Sequence, residues 1–193
     1  MKRGNPDALY GETLPRMLSN QRMFSIQAYE PSDWVGRLQV LEPVFRAGAT
    51  YPMSPDSAET EAHAHWIEHS QATFFAVHEA DATIIGTYYL NPNSSALGAR
   101  VCKAGCMAGC MAAEAAWRQG GATAIGRHSL QTAAQMGFRA MQFNLVVSTN
   151  EASVRWWRKL GFEVMGALPE AFKHACLGYV DALVMYNMLE PQD

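Results

Sequence analysis

The stretch that decides the fold is Asn150-Glu151-Ala152-Ser153-Val154-Arg155-Trp156-Trp157-Arg158-Lys159-Leu160-Gly161-Phe162. Asn150 is a residue type that caps the start of helices, and Gly161 is the type that ends them in a left-handed conformation. The pattern therefore predicts a capped helix over residues 151–160. The two adjacent tryptophans are most often core or interface residues, because they carry large apolar surfaces.

Two further features precede this helix. Residues 139–147 are rich in β-branched and aromatic side chains, which predicts a strand. Before it, the segment Arg118-Gln119-Gly120-Gly121-Ala122-Thr123 opens a second helix, which we predict from about Gly120 to Met136. Small residues let a ligand approach the backbone, and the free N–H groups of a helix start favour a phosphate. A plain turn before a helix has the same composition, so this segment gains meaning only together with the helix at 151–160.

In this order the two segments resemble the GCN5-related N-acetyltransferase superfamily. Its second motif, Asn-x-x-Ala/Ser-x-x-Leu/Trp-Tyr/Trp-x-x-x-Gly-Phe, is matched at Asn150, Ser153, Trp156, Trp157, Gly161 and Phe162. Its cofactor motif, Gln/Arg-x-x-Gly-x-Gly/Ala, fits in two registers. One starts at Arg118 and places Thr123 in the last position. The other starts at Trp117 and places Gly120 and Ala122 at the small positions. The number of residues between the motif and residues 127–129 favours the second register, and both registers stay open.

The rest of the chain agrees with the α/β (α+β) fold that this resemblance implies. We predict strands near 24–29, 73–78, 83–90, 139–147, 162–167 and 179–188, and further helices over 33–47 and 57–70. Residues 99–113 show no period and supply the fourth strand of the order. The result is a mixed, mostly antiparallel six- to seven-stranded sheet with helices on both faces, splayed between strands 4 and 5. We expect residues 1–22 to form a flexible N-terminal extension and residues 23–190 to form the N-acetyltransferase domain.

The resemblance also implies acetyl-coenzyme A as co-substrate. Its pyrophosphate would be held by Arg118, Gln119, Gly120, Gly121, Ala122 and Thr123, and its pantetheine arm by the end of the fourth strand at Met111, Ala112 and Ala113. Further contacts would come from Asn150, Ser153 and Trp157. A backbone N–H at that strand end would polarise the thioester carbonyl. The amine would then attack directly, without a covalent enzyme intermediate.

The sequence leaves several candidates for the residues that transfer protons. An attacking amine must first lose a proton, and Glu114 and Tyr89 are the candidate residues. Many family members have, at the position of Trp157, a tyrosine that acts as a general acid. The indole of Trp157 has no titratable proton. Tyr88, Tyr89, Tyr179 or water could replace that tyrosine, or the thiolate could leave unprotonated.

The acceptor side is predicted from position alone. Tyr51 lies in a Thr50-Tyr51-Pro52 loop that loosely resembles the same region of phosphinothricin-type acetyltransferases. Tyr89 and Asn144 belong to neighbouring central strands and could face a small-molecule or peptide amine. Packing in the core is the alternative for both tyrosines.

Composition limits the other classes of function. A net charge of −3 and a pI near 6.1 argue against a nucleic-acid partner. No apolar run is long enough for a membrane span or a secretory signal, so we expect a cytoplasmic protein with reduced thiols. A homodimer through the sheet edge or the last strands is an open alternative.

Two patterns look like metal ligands but predict none. On a helix, His65 and His69 would share a face that excludes His63, which favours a solvated helix face. Cys102, Cys106 and Cys110 do not follow a zinc or iron–sulfur spacing. The immediate repeat of Ala104-Gly105-Cys106-Met107 as Ala108-Gly109-Cys110-Met111 accounts for two of them, and we expect it to bulge the strand or displace one copy into a loop.

The sequence leaves two other functions open. A non-catalytic acyl-CoA-binding or regulatory protein of the same fold is suggested by Trp157 and by the irregular cofactor segment. A structural or dimerisation module would rest on exposed aromatic residues such as Trp156.

Overall fold

The structure is a computed structural model that describes residues 16–17, 23–30, 34–79, 81–108 and 121–190. Within these ranges the strands form one sheet in the order β1-β2-β3-β4-β5-β6-β8-β7. The strands are β1 (Arg16–Met17), β2 (Met23–Ala28), β3 (Ala72–His78), β4 (Ile84–Pro92), β5 (Val101–Ala108), β6 (Ala140–Val147), β7 (Glu163–His174) and β8 (Gly178–Met188). All neighbouring strands are antiparallel except β5 and β6, which are parallel.

The helices lie between the strands. They are α1 (Trp34–Ala47), α2 (Glu59–His63), α3 (Gly121–Gln135) and α4 (Glu151–Lys159), with a 3-10 turn at Ala96–Gly98. The chain continues from α2 directly into a π-helical turn at Ala64–Glu68. Gly137 and Gly161 follow the ends of α3 and α4 at φ values of +85° and +94°. Only glycine adopts such angles without strain, so these two residues fix where each helix stops.

Each face of the sheet carries its own apolar core. Side chains alternate between the two faces of a strand, and β3 and β4 show this alternation clearly. Phe74 and Tyr88 belong to the core covered by α3 and α4, whereas Phe75 and Tyr89 belong to the core covered by α1 and α2. The predicted sheet with helices on both faces is therefore confirmed.

The structure refines the predicted strands in three places. Arg16 and Met17, inside the predicted N-terminal extension, pair with β2 as an additional short strand. The ambiguous residues 99–113 contain β5. β7 runs to His174, well beyond the predicted end at residue 167, because it stays paired with β8 up to the pair His174↔Gly178.

The tandem repeat begins inside β5. Its first copy pairs with β4 without a register shift, and the pairing continues to Ala108, the first residue of the second copy. The expected bulge is therefore absent from this first copy. Residues 109–111, which complete the second copy, lie outside the described residues.

Candidate functional site

The parallel strands β5 and β6 separate soon after they meet. They pair at Val101↔Ala140, Cys102↔Met141 and Lys103↔Gln142, and the described part of the chain shows no further pair between them. β5 nevertheless continues to Ala108 and β6 to Val147. The splay that the sequence predicted between its fourth and fifth strands is thus confirmed. Backbone groups of β5 beyond Lys103 face an opening in which an extended ligand could pair with them.

The N-terminus of α3 is the second part of the site. Gly121 is the first residue of α3 that the structure describes, and both Gly121 and Ala122 are buried, with Thr123 half-buried. The first four N–H groups of a helix have no partner within the helix. The predicted N–H donors of Gly121, Ala122 and Thr123 thus lie in the first described turn of α3. The other predicted cofactor residues and the candidate base lie outside the described residues. They are Arg118, Gln119, Gly120, the strand end at Met111, Ala112 and Ala113, and the base Glu114.

The helix α4 has the cap and the buried tryptophan of the motif that starts at Asn150. The side chain of Asn150 accepts a hydrogen bond of 3.2 Å from the backbone N–H of Ser153, which is the predicted cap. Trp157 is only 4% exposed. Its ring lies 4.2 Å from the ring of Phe143 and 5.1 Å from that of Phe162, measured between centroids. Trp157 is thus a core residue with little surface left for a ligand.

Trp156 is half-buried rather than exposed. Its ring packs 4.2 Å from that of Trp157, and its Cζ2 lies 2.9 Å from where a Cβ on Gly126 of α3 would be. Trp156 therefore joins α4 to α3. Trp156 is thus not an exposed aromatic residue of the kind that the hypothesis of a dimerisation module needs, and dimerisation stays a prediction.

A polar cluster, formed by Tyr51, His65 and Tyr89, lies on the opposite face, within the core under α1 and α2. The Tyr51 hydroxyl lies 2.9 Å from Nε2 of His65 and 3.1 Å from the Tyr89 hydroxyl. The Tyr89 hydroxyl lies 3.4 Å from the same Nε2. Sequence reasoning proposed Tyr51 and Tyr89 for the acceptor side, and the structure brings them into contact.

Packing holds the Tyr51–His65–Tyr89 cluster in place. Trp66, fully buried, lies edge-on to Tyr89 at 4.8 Å and donates its indole N–H to the hydroxyl of Thr87 at 3.0 Å. Tyr89 is the register partner of Gly105 on β5. A Cβ on Gly105 would lie 2.1 Å from Cε1 of Tyr89, so the ring crosses directly over this glycine.

Burial shifts the pKa values of two members of the cluster, His65 and Tyr89. It lowers the pKa of His65, and the positive charges of Lys103 and of His69 lower it further. Burial also raises the pKa of Tyr89, an effect that the hydrogen bond with Tyr51 partly offsets. At neutral pH the imidazole is therefore neutral and can accept a proton, while the Tyr89 phenol keeps its own.

Asn144 lies on β6, and β5 separates β6 from β4, the strand of Tyr89, so the prediction that the two residues belong to neighbouring strands is wrong. Asn144 shares the sheet face of Tyr89, but its amide donates to Asn93 at 2.7 Å and accepts from Gln142 at 2.8 Å. The residues on both sides of Asn93, Pro92 and Ser94, line an open pocket of about 410 Å³ together with Asn91, Lys103 and His69. Asn144 is thus hydrogen-bonded to a residue whose two chain neighbours line this pocket.

The comparisons with known proteins fit this geometry. Residues 39–162 match the model of the Acetyltransferase (GNAT) family. The chain belongs to this family. It is 31% identical over 107 residues to N-acetyltransferase aca1 of Schizosaccharomyces pombe, which is 53% of this chain and 47% of that protein. The chain therefore matches about half the length of this relative.

Solved acetyltransferase structures share the GNAT fold of the chain. A GCN5-related N-acetyltransferase from Kribbella flavida is 36% identical, with a TM-score of 0.77 over 86% of this chain and 98% of the other. The yncA protein of Salmonella typhimurium, solved with its cofactor acetyl-CoA, has a TM-score of 0.71 at 18% identity, over 88% of this chain and 96% of that one. The second likeness shows the fold alone.

Sequence reasoning missed His65 in this GNAT chain. A solvated helix face was predicted for it, and that interpretation is wrong, because His65 points into the cluster with Tyr51 and Tyr89. The π-helical turn begins one residue before His65 and closes with a hydrogen bond from the N–H of His69 to the carbonyl of Ala64. The extra residue per turn removes the α-helical phase on which the prediction depended.

Two structural findings concern metals and membranes. In the part of the chain that the structure describes, no group of three or more His, Cys, Asp or Glu side chains is placed to hold a metal ion. No helix in the same ranges is long and apolar enough to cross a membrane.

Proposed function

We propose that the protein transfers the acetyl group of acetyl-CoA to a primary amine of a small molecule or peptide by direct attack. The observation that supports this most is the opening between β5 and β6, with the start of α3 nearby in the fold and a titratable cluster on the adjoining sheet face. This combination offers one place for a thioester and another for an amine. Membership of the acetyltransferase family supports the same reaction.

Acetyl-CoA would occupy the opening in an extended form. Its pantetheine amides would pair with the backbone of β5 beyond Lys103 and with the strand end at Met111, Ala112 and Ala113. The pyrophosphate would be bound by the N–H groups of Gly121, Ala122 and Thr123, together with Arg118, Gln119 and Gly120. Both registers of the cofactor motif stay predictions.

The outer contacts of the cofactor depend on α4. Asn150 already uses its side chain to cap this helix, and Ser153 supplies the capped N–H. Contacts from these two residues to the cofactor are therefore proposed through their remaining polar groups. A contact from Trp157 would be limited to the small part of the ring that is exposed.

The chemistry requires a neutral amine and a polarised carbonyl. A backbone N–H at the end of β5 would stabilise the negative charge that develops on the thioester oxygen. Holding amine and thioester side by side makes the attack effectively unimolecular. The carbon–sulfur bond then breaks, and coenzyme A leaves as the thiol. The acceptor would lie against Tyr51 and Tyr89, with Asn144 on the same face of the sheet.

Titration calorimetry with acetyl-CoA tests the cofactor, and thiol release with a panel of amines tests the reaction. We expect saturable binding and amine-dependent release of thiol. Coenzyme A without the acetyl group is the control, since it should bind without releasing further thiol. No heat and no thermal shift at millimolar acetyl-CoA would refute the proposal.

A non-catalytic acyl-CoA-binding protein is the second candidate. Trp157 favours it, because many family members have a tyrosine that acts as a general acid at this position. Trp157 is also buried in the core. Acetyl-CoA binding without thiol release across the whole panel would support this candidate. Release with any one amine would exclude it. The cytoplasmic location and a homodimer stay predictions.

A further inference from the structure

The Tyr51–His65–Tyr89 cluster joins three separate parts of the chain. Tyr51 comes from the loop after α1, His65 from the π-helical turn, and Tyr89 from β4. Two phenol oxygens and one imidazole nitrogen lie within 3.4 Å of one another in a largely apolar core. A neutral imidazole has one nitrogen that accepts. The cluster can therefore form a chain of hydrogen bonds that ends on Nε2 of His65.

The cluster also lies next to the opening between β5 and β6. The last register pair of these strands is Lys103↔Gln142, and Gly105 comes two residues later on β5. The ring of Tyr89 crosses over Gly105, so its hydroxyl end lies above β5 rather than above β4. An amine that attacks a thioester held in the opening would approach from this face.

We infer that Tyr89 takes the proton of the acceptor ammonium and that Tyr51 and His65 complete a relay in which His65 is the final proton acceptor. This inference rests on the proposed function. Tyr89 would contact the substrate through the 6% of its surface that is exposed, whereas Tyr51 and His65 act through it.

Each proton in the relay has a donor and an acceptor. One ammonium proton moves to the Tyr89 oxygen, the Tyr89 proton moves to Tyr51, and the Tyr51 proton moves to Nε2 of His65. The freed lone pair of the nitrogen forms the bond to the thioester carbon. When the adduct collapses, the carbon–sulfur bond breaks and the nitrogen gives its second proton to the leaving thiolate. The imidazolium then returns its proton to water.

The charges around His65 keep its imidazole neutral before the proton arrives and make the imidazolium short-lived. Lys103 faces it from β5 and His69 from the end of the π-helical turn, and both disfavour a positive imidazole. Tyr51 and Tyr89 are the remaining titratable groups in contact with it. Because its pKa is lowered, His65 stays neutral over the physiological range. It also releases an accepted proton readily, which regenerates the enzyme for the next turnover.

The test compares His65→Asn, Tyr51→Phe and Tyr89→Phe with the matched control His63→Gln. His63 contacts Glu68 at 3.0 Å on the outer side of the same segment. We expect His65→Asn to lower kcat by about 100-fold or more, which is the range of general base catalysis. Tyr89→Phe removes the first proton acceptor and should also lower kcat by about 100-fold or more. Tyr51→Phe should lower kcat by about 10-fold, because the Tyr89 hydroxyl still lies 3.4 Å from Nε2 of His65. The control should keep wild-type kcat.

The pH profile separates a proton relay from mere packing. In the wild type, kcat/KM should fall more steeply below the pKa of His65, because the imidazole and the amine are then both protonated. His65→Asn should lose this additional fall and track the ionisation of the amine alone. Calorimetry and melting curves on each variant should show unchanged acetyl-CoA binding and folding.

The outcomes distinguish the relay from the proposed function. If wild type turns over and His65→Asn keeps its kcat and pH profile, the relay is wrong and the acetyltransferase proposal stands. The relay is equally wrong if Glu114→Gln removes the pH-dependent step while His65→Asn does not. If the wild type releases no thiol with any amine, the proposed function itself fails. Should His65→Asn not fold, the two Tyr→Phe variants decide through the same pH profile.

Discussion

Gly105 shows how one missing side chain shapes the candidate site. A Cβ at this position would lie 2.1 Å from Cε1 of Tyr89 and 2.9 Å from the Tyr51 hydroxyl. Tyr89 is 6% exposed and packs against Trp66, so its ring has little room to move aside. We expect Gly105→Ala to lower the free energy of unfolding by about 1–3 kcal/mol, as overpacked cores do. Chemical denaturation measures this change.

Gly166 on β7 is the matched control for this substitution. No atom lies within 4 Å of a Cβ placed on Gly166. Gly166→Ala should therefore change stability by no more than about 0.5 kcal/mol. If the two alanine variants were equally stable, the close approach of Tyr89 to Gly105 would not hold in solution.

At the residue scale, the sequence predicts part of the site and misses the rest. Tyr51 and Tyr89 could be proposed from their positions on a loop and a central strand. Their contact with His65 could not, because it depends on the π-helical turn at Ala64–Glu68. A five-residue hydrogen-bond spacing leaves no mark in the pattern of apolar residues that would separate it from an ordinary helix.

At the scale of elements, buried hydrogen bonds fix that turn to the sheet. Trp66 donates to the hydroxyl of Thr87 at 3.0 Å, and this hydroxyl donates to the carbonyl of Phe74 at 2.9 Å. Thr87→Val keeps the shape but leaves the indole N–H without its partner. We expect a loss of about 1–3 kcal/mol in the free energy of unfolding, measured by chemical denaturation. A fall in kcat should accompany it, since His65, the residue before Trp66, would lose its support.

A double-mutant cycle isolates this hydrogen bond. Trp66→Phe removes the donor, and Trp66→Phe combined with Thr87→Val removes both partners. Thr87→Val should cost less when Trp66→Phe is already present than in the wild type. Strictly additive losses would show that the bond contributes nothing, and the link between the turn and β4 would have to be explained by packing alone.

The contact between α3 and α4 rests on another glycine. A Cβ on Gly126 would lie 2.5 Å from Cδ1 of Leu160 and 2.9 Å from Cζ2 of Trp156. Alanine favours a helix over glycine by about 1 kcal/mol, whereas overpacking costs about 1–3 kcal/mol. We therefore expect Gly126→Ala to be destabilising in thermal melts, despite its better helix propensity. A higher melting temperature would mean that α4 moves away from α3 without loss.

The elements themselves were largely predictable. The helix at Glu151–Lys159 and the strand at Ala140–Val147 carry strong local signals, namely a cap, a glycine stop and a β-branched apolar run. β5 carries none, because Ala, Cys, Gly and Met have no clear preference. Only its pairing with β4 makes it a strand. β7 likewise extends past residue 167 because β8 supplies a partner, which is a long-range effect that no local pattern contains.

At the scale of the whole molecule, the described strands pair weakly in the middle of the sheet, between β5 and β6. β4 and β5 share seven register pairs, whereas β5 and β6 share three. These three pairs and the core under α3 and α4 join two groups of strands. One group is β1 to β5, and the other is β6, β8 and β7. A ligand that pairs with the separated part of β5 would extend the sheet between β5 and β6. Under the proposed function, acetyl-CoA is that ligand.

Hydrogen exchange tests this consequence directly. With saturating acetyl-CoA, we expect slower exchange at residues 104–108 of β5, since their backbone groups gain partners, and at the first turn of α3. Adenosine 3′,5′-bisphosphate, which lacks the pantetheine arm, is the control. It should protect no strand, because only the arm reaches between β5 and β6. Equal protection of β5 by both ligands would contradict an extended arm in the opening and would place the cofactor elsewhere on the sheet.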